Sequence, residues 1–183
     1  MLKNNGKSYG WISIVVHWLM AIVILFVFGL GLYMVNLTYY DAWYKGSLAL
    51  HKSLGMALLI LLAFRMFWRV INSKPAELAG PKWQQISASL MHRGLYLVML
   101  LLLVSGYLIS TADGAAIVVF DLFNAPALPW SVENQEDIAG EIHLVLSWLL
   151  VAMVTVHALA ALKHHFINKD SGLTRMLKVD TVD

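Results

Sequence analysis

The feature that most limits this chain is the length of its uncharged runs. Residues 8–40 carry no Asp, Glu, Lys or Arg, and neither do 94–112 or 142–162. Each run can supply the ~20 apolar residues that cross a bilayer core. A fourth apolar stretch, 47–71, holds His51, Lys52, Arg65 and Arg69, so only 53–64 is free of formal charge. It still reads as a span, because lysine and arginine near a helix end reach back to the interface. Hydrophobic residues make up 60% of the chain and the mean hydropathy is +0.70, far above a soluble domain. The first run is longer than the ~7–15-residue apolar core of a signal peptide, and no small-x-small cleavage site follows it. The lack of cysteine excludes disulfides, thiolate-held iron–sulfur clusters and covalent c-type haem attachment.

The expected spans are 12–36, 47–70, 91–112 and 141–164, in one membrane domain covering 1–183. Short connections favour antiparallel neighbours, so the fold class is all-α: an integral-membrane, up-down-up-down four-helix bundle. Pro75 and Pro81 mark the second connection, and Pro126 and Pro129 mark the long loop 113–140. Four spans put both termini on one side. Eleven of the thirteen basic residues fall on that side. The other side has Lys45 and Lys52 against seven acids: Asp41, Asp113, Asp121, Glu133, Glu136, Asp137 and Glu141. This bias places both termini in the cytoplasm.

Orientation assigns each histidine a depth. His17 starts span one on the inner side. His51 and His143 start spans two and four on the outer side. His157 lies fourteen residues beyond His143, a step of ~21 Å along the helix and ~40° short of four full turns. His143 and His157 therefore share one helix face at two depths, where His51 can meet His143 and His17 can meet His157. Paired imidazoles from different helices, one pair near each surface, suit the axial positions of two b-type haems enclosed by the bundle. An iron with two histidine ligands has no open position, which favours electron transfer over oxygen chemistry. A single membrane histidine is more often an interhelical hydrogen bonder. Four histidines that match by depth, in pairs and on three helices, are harder to obtain from packing alone.

The fourteen-residue step recurs on the other spans. It joins His17 to Gly31, His92 to Gly106 and His51 to Arg65. Gly31 and Gly106 would admit a flat outer haem against the backbone, unless they serve only close helix packing. Arg65 would meet a haem propionate at the inner level. Met20 and Met153 lie near that level as substitute ligands. His92, His164 and His165 read as interfacial residues or as parts of a quinone or proton site beside the inner haem. Lys82, Arg93 and Lys163 lie near the same surface. Trp18 and most other tryptophans and tyrosines read as belt anchors. The first half of loop 113–140 can lie over the outer haem.

With these residues in place, the chain resembles the bacterial cytochrome b561 family of small dihaem membrane cytochromes. The resemblance is carried by "SIVVHW" around His17, "ALHKSLGMALLILLAFRMFWR" around His51 and Arg65, "MHRGLYLVMLLLLVSGY" around His92, "GEIHLVLSWLLVAMVTVHALAALKHHFINKD" around the last histidines, and the tail "LTRML". It implies a bacterial inner-membrane protein whose four matching histidines hold two b haems and which exchanges electrons with ubiquinone. One branch of the family passes electrons from periplasmic superoxide to ubiquinone, with the quinone near residues that match Lys82 and His164. By that resemblance the chain is an oxidoreductase candidate with a periplasmic donor. The alternative is a haem-carrying membrane anchor for a larger redox enzyme, as in hydrogenase or formate dehydrogenase. The outer side carries a net charge of −5, which would repel superoxide rather than steer it.

Overall fold

The computed structural model describes residues 1–6, 8–76 and 80–179. Four long helices dominate it: α1 (Trp11–Met34), α2 (Tyr44–Ile71), α3 (Lys82–Ser110) and α4 (Gln135–Phe166). All four are long and apolar enough to cross a membrane. They pack in chain order, α1 on α2, α2 on α3 and α3 on α4, as short connections between antiparallel helices require. We call the side carrying both termini proximal and the opposite side distal.

Most large apolar side chains face outward, among them Ile22, Leu25, Phe26, Phe67, Val70, Leu97, Val145 and Val156. Lipid tails are as apolar as these residues, so exposing them in a bilayer costs little. The interior is small. Met20, Leu58, Leu62, Val98, Met99 and Leu150 form one buried cluster with a residue or two from each helix. Every member lies in sequence between the proximal and distal histidines of its helix or their fourteen-residue counterparts, so the cluster fills the middle of the bundle.

α3 and α4 extend furthest beyond their expected spans. α3 begins at Lys82 rather than near 91, and α4 at Gln135 rather than near 141. Glu136 and Asp137 occupy the first turn of α4, where negative side chains complement the helix dipole. The distal loop is also more ordered than expected. It contains an antiparallel hairpin, β1 (Ile117–Val119) and β2 (Phe123–Ala125). Ile117, Val119 and Ala125 are buried and pack on Met56 of α2 and Tyr107 of α3. The Phe120 amide donates to Ser53 Oγ at 3.1 Å, Ser53 Oγ faces the Val118 carbonyl at 3.4 Å, and Tyr107 donates to the Pro126 carbonyl at 2.6 Å. The hairpin therefore lies across α2 and α3, two residues beyond His51.

On the proximal side, three stretches of chain are tied together. Asn4 donates to the Ser73 carbonyl, and the Ala76 amide donates to the Gly6 carbonyl. Arg175 donates to the Ala76 carbonyl at 2.8 Å. The Trp18 indole donates to the Met176 carbonyl at 2.6 Å, so this residue fastens the tail as well as standing at an interface.

Candidate functional site

The bundle brings the four intramembrane histidines together in two pairs. At the distal level His51 of α2 faces His143 of α4, with ring centres 6.2 Å apart. At the proximal level His17 of α1 faces His157 of α4, at 6.4 Å. A metal–nitrogen bond of about 2.0 Å, with about 1.1 Å more to each ring centre, separates the rings of a bis-imidazole complex by about 6.2 Å. Both pairs match that span. His92 of α3 also reaches the proximal level, 5.2 Å from the His157 ring, which is too close for the two rings to stand on opposite sides of one iron. Among the described residues, no group of three or more His, Cys, Asp or Glu could share a metal ion.

The distal pair is held by backbone and by glycine. His143 Nδ1 lies 3.1 Å from the Leu102 carbonyl and 3.1 Å from Ser105 Oγ, and Ser105 itself donates to Leu102 at 2.8 Å. A proton on Nδ1 shared with that carbonyl leaves Nε2 unprotonated, as a metal-binding imidazole must be. His51 Nδ1 is buried without a well-formed hydrogen bond, with the Val27 carbonyl as the acceptor on its side. Gly31 and Gly106 sit against these rings. A Cβ on Gly31 would stand 3.3 Å from His51 Cε1, and one on Gly106 would stand 2.9 Å from His143 Cε1. In this structure the space the two glycines clear is taken by the imidazoles themselves.

The proximal pair has a different environment. Arg65 Nη2 donates to His17 Nδ1 at 3.0 Å, Arg65 Nε donates to the Tyr96 hydroxyl at 2.9 Å, and Nη1 faces the Met20 sulfur at 4.0 Å. Arg65 and Arg69 both stack on the Tyr96 ring, at 5.7 and 5.3 Å from its centre. The two methionines considered as substitute ligands are engaged elsewhere. Met20 is buried against Arg65, and the Met153 methyl faces Gly94. The sequence places His92 on the inner side as an interfacial residue or part of a quinone or proton site, but its contact with the His157 ring and the role of Tyr96 were not legible. The signal was there in the spacing, since Tyr96 follows His92 by one helical turn on the same face.

The residues proposed for quinone lie on the proximal side. Lys82 is exposed at the first residue of α3. His164 stands in the last turn of α4 with Nδ1 2.7 Å from Asp170 Oδ2, and Asn168 lies 3.1 Å from the same nitrogen. Among the described residues no hydrogen bond joins Lys82 to His164. His165 packs its ring against Phe166, and Arg93 and Lys163 are exposed.

Membrane-length helices with imidazoles facing each other across the bundle interior have the architecture of a membrane b-type cytochrome. Residues 8–178 match the family model described as prokaryotic cytochrome b561. Over 181 residues the chain is 44% identical to cytochrome b561 homolog 2 of Escherichia coli K12, covering 98% of this chain and 96% of that protein. It is 28% identical to a protein of Yersinia pestis named "Probable superoxide oxidase CybB", over 93% of this chain and 96% of the relative. It is 29% identical to cytochrome b561 homolog 1 of E. coli, over 69% of this chain and 72% of the relative. The chain belongs to the prokaryotic cytochrome b561 family, and is thus a membrane protein of electron transport that carries b-type haem.

Proposed function

We propose that the chain holds two b haems, one between His51 and His143 and one between His17 and His157, and moves electrons between a periplasmic donor and ubiquinone. The observation that carries this reading is the ring separation in both pairs, 6.2 and 6.4 Å, each set by two different helices. When bound, the haems supply one-electron chemistry. The chain's own residues do the rest. His143 is oriented by the Leu102 carbonyl, Gly31 and Gly106 leave room for the distal imidazoles and for a flat group beside them, and Arg65 supplies a cation for an inner propionate. The basic bias of the proximal side supports placing both termini in the cytoplasm of a bacterial inner membrane. On that side, His164 and Lys82 are the residues proposed to meet ubiquinone, with protons drawn from the cytoplasm.

Superoxide is the donor we propose, on the strength of the Yersinia relative's name. Two superoxide ions giving one electron each would leave as dioxygen, and ubiquinone taking two electrons and two protons would leave as ubiquinol. The net −5 of the distal side works against an anionic donor, so haem reduction by superoxide should speed up as salt screens that repulsion.

Two experiments test the reading. Purified protein should show two low-spin b haems per chain. His17→Ala and His157→Ala should each remove the same haem, while His51→Ala and His143→Ala remove the other. A ratio of one haem per chain, or mismatched losses, overturns the pairing. Stopped-flow mixing with superoxide should reduce the haems, and failure to do so while quinol reduces them would remove superoxide as donor. Stoichiometric co-purification of a soluble redox enzyme would make the chain that enzyme's membrane anchor instead.

A further inference from the structure

Arg65 stands half-buried at the proximal histidine level, and Arg69 lies one turn nearer the proximal end of α2 with its side chain exposed. Among the described residues no carboxylate lies within ion-pair distance of either guanidinium. A charge held at low dielectric without a counterion is costly, and its presence at membrane depth marks a functional role. What holds these two charges in place is Tyr96. Its hydroxyl accepts from Arg65 Nε at 2.9 Å, and its ring lies under both guanidiniums, at 5.7 and 5.3 Å. A cation over an aromatic face is favoured by the ring quadrupole, more so when desolvated.

The third contact of Arg65 shows which part of it is free to move. Nη2 donates to His17 Nδ1 at 3.0 Å, so that nitrogen must accept. A neutral imidazole that binds a metal through Nε2 carries its proton on Nδ1 and can no longer accept there. Ligation of iron by His17 would therefore release Nη2, leaving the Nε contact to the Tyr96 hydroxyl as the anchor of Arg65. The released donor sits beside the iron site and needs an anion, and a haem propionate is one.

We propose that Tyr96 is the positioning residue of the proximal haem site. By pinning Arg65 at Nε and stacking under Arg65 and Arg69, it fixes one positive charge beside His17 and a second one helical turn away, which would bind the propionates and raise that haem's reduction potential. Positive charge near an iron favours the reduced form, which carries one electron more. This would make the proximal haem the better electron acceptor of the two and bias flow toward the proximal side. The proposal rests on the His17/His157 ligation proposed above.

The test is a spectroelectrochemical redox titration of the full-length haem-loaded protein, with the two haems assigned beforehand from the His17→Ala and His51→Ala variants. Tyr96→Phe removes the hydroxyl and keeps the ring. Its proximal midpoint should fall by about a tenfold change in the reduced-to-oxidised ratio, 59 mV for a one-electron couple, with the distal midpoint unchanged. Arg65→Gln should lower the same midpoint further, and Arg65→Lys, which keeps the charge but not the fork, should recover part of it. Loss of the proximal haem alone from Tyr96→Phe is the stronger form of the same result, because the retained distal haem reports an intact fold. An unchanged proximal midpoint, an equal shift in both haems, or loss of both haems from Tyr96→Phe overturns the proposal. If His17→Ala and His157→Ala remove different haems, it is the ligation reading that fails, and the proposal falls with it.

Discussion

Gly106→Ala is the sharpest perturbation available at the distal level. The added Cβ would lie 2.9 Å from His143 Cε1, 3.3 Å from Nδ1 and 3.9 Å from Nε2, so all three of its nearest neighbours belong to one imidazole. Ordinary contact begins near 3.4 Å, so the ring must move by roughly 0.5 Å. It cannot swing freely, because Nδ1 is held by the Leu102 carbonyl and Ser105. Overpacking of this kind costs about 1–3 kcal/mol. If the strain falls on haem binding, it weakens distal haem retention by roughly 5- to 150-fold at 1.4 kcal/mol per decade. The assay is haem content per chain after gel filtration, with low-spin spectra to identify the haem lost. Two companions set the scale. Gly31→Ala meets His51 Cε1 at the looser 3.3 Å and should show a smaller distal loss. Gly94→Ala meets the Met153 methyl at 2.8 Å, closer still, but that methyl ends a flexible chain and can turn away, so both haems should stay. Wild-type distal haem content in Gly106→Ala, or preferential loss of the proximal haem, would refute the reasoning.

Three further predictions concern parts outside the paired rings. Ser53→Ala removes the hydroxyl that ties the distal hairpin to α2, and should lower local stability by about 1 kcal/mol, read as faster amide exchange at Phe120 and Val119. Trp18→Phe removes the indole donor to Met176, and should speed proteolysis of the chain after residue 173 without changing haem content. The Asp41 carboxylate accepts from the Thr38 amide at 2.7 Å and from its hydroxyl at 2.8 Å, which holds its pKa below the usual 3.8. A depressed carboxyl stabilises the α1–α2 turn above its unfolded pKa, and that contribution is lost as pH falls through the folded value. The turn should therefore loosen only below about pH 3.8, seen as a shift of the Thr38 amide resonance, and Asp41→Asn should abolish that transition.

The four spans were legible because a bilayer admits few structures and their apolar runs leave little choice. Hydropathy marks where a helix enters lipid rather than where it starts, which is why Lys82–Leu90 and Gln135–Gly140 were missed as helix. Both stretches are polar enough to look like loop, yet neither contains a proline. The hairpin was not legible because its strands are three residues each and its anchor, Ser53, is more than sixty residues away in sequence. Pairing of the histidines by depth followed from helical rise and orientation alone, and the structure brings together the rings expected to meet. His92 was assigned to the inner level, but its contact with the His157 ring was not foreseen, because depth alone does not say which face of α3 turns inward. Tyr96 was missed because it was grouped with no other polar residue, and its partners lie on a different helix.

The six side chains that fill the middle of the bundle, Met20, Leu58, Leu62, Val98, Met99 and Leu150, are hydrocarbon or thioether and carry no group on which a proton could hop, with Tyr96 and Arg65 flanking them on the proximal side. An electron tunnels through such hydrocarbon, whereas a hydrated ion does not. If the protons for quinone reduction are drawn from the cytoplasmic face, every electron that crosses the bundle displaces one charge through the bilayer dielectric. The membrane voltage then acts on the rate directly, with about 2.3 kcal/mol per charge for each 100 mV.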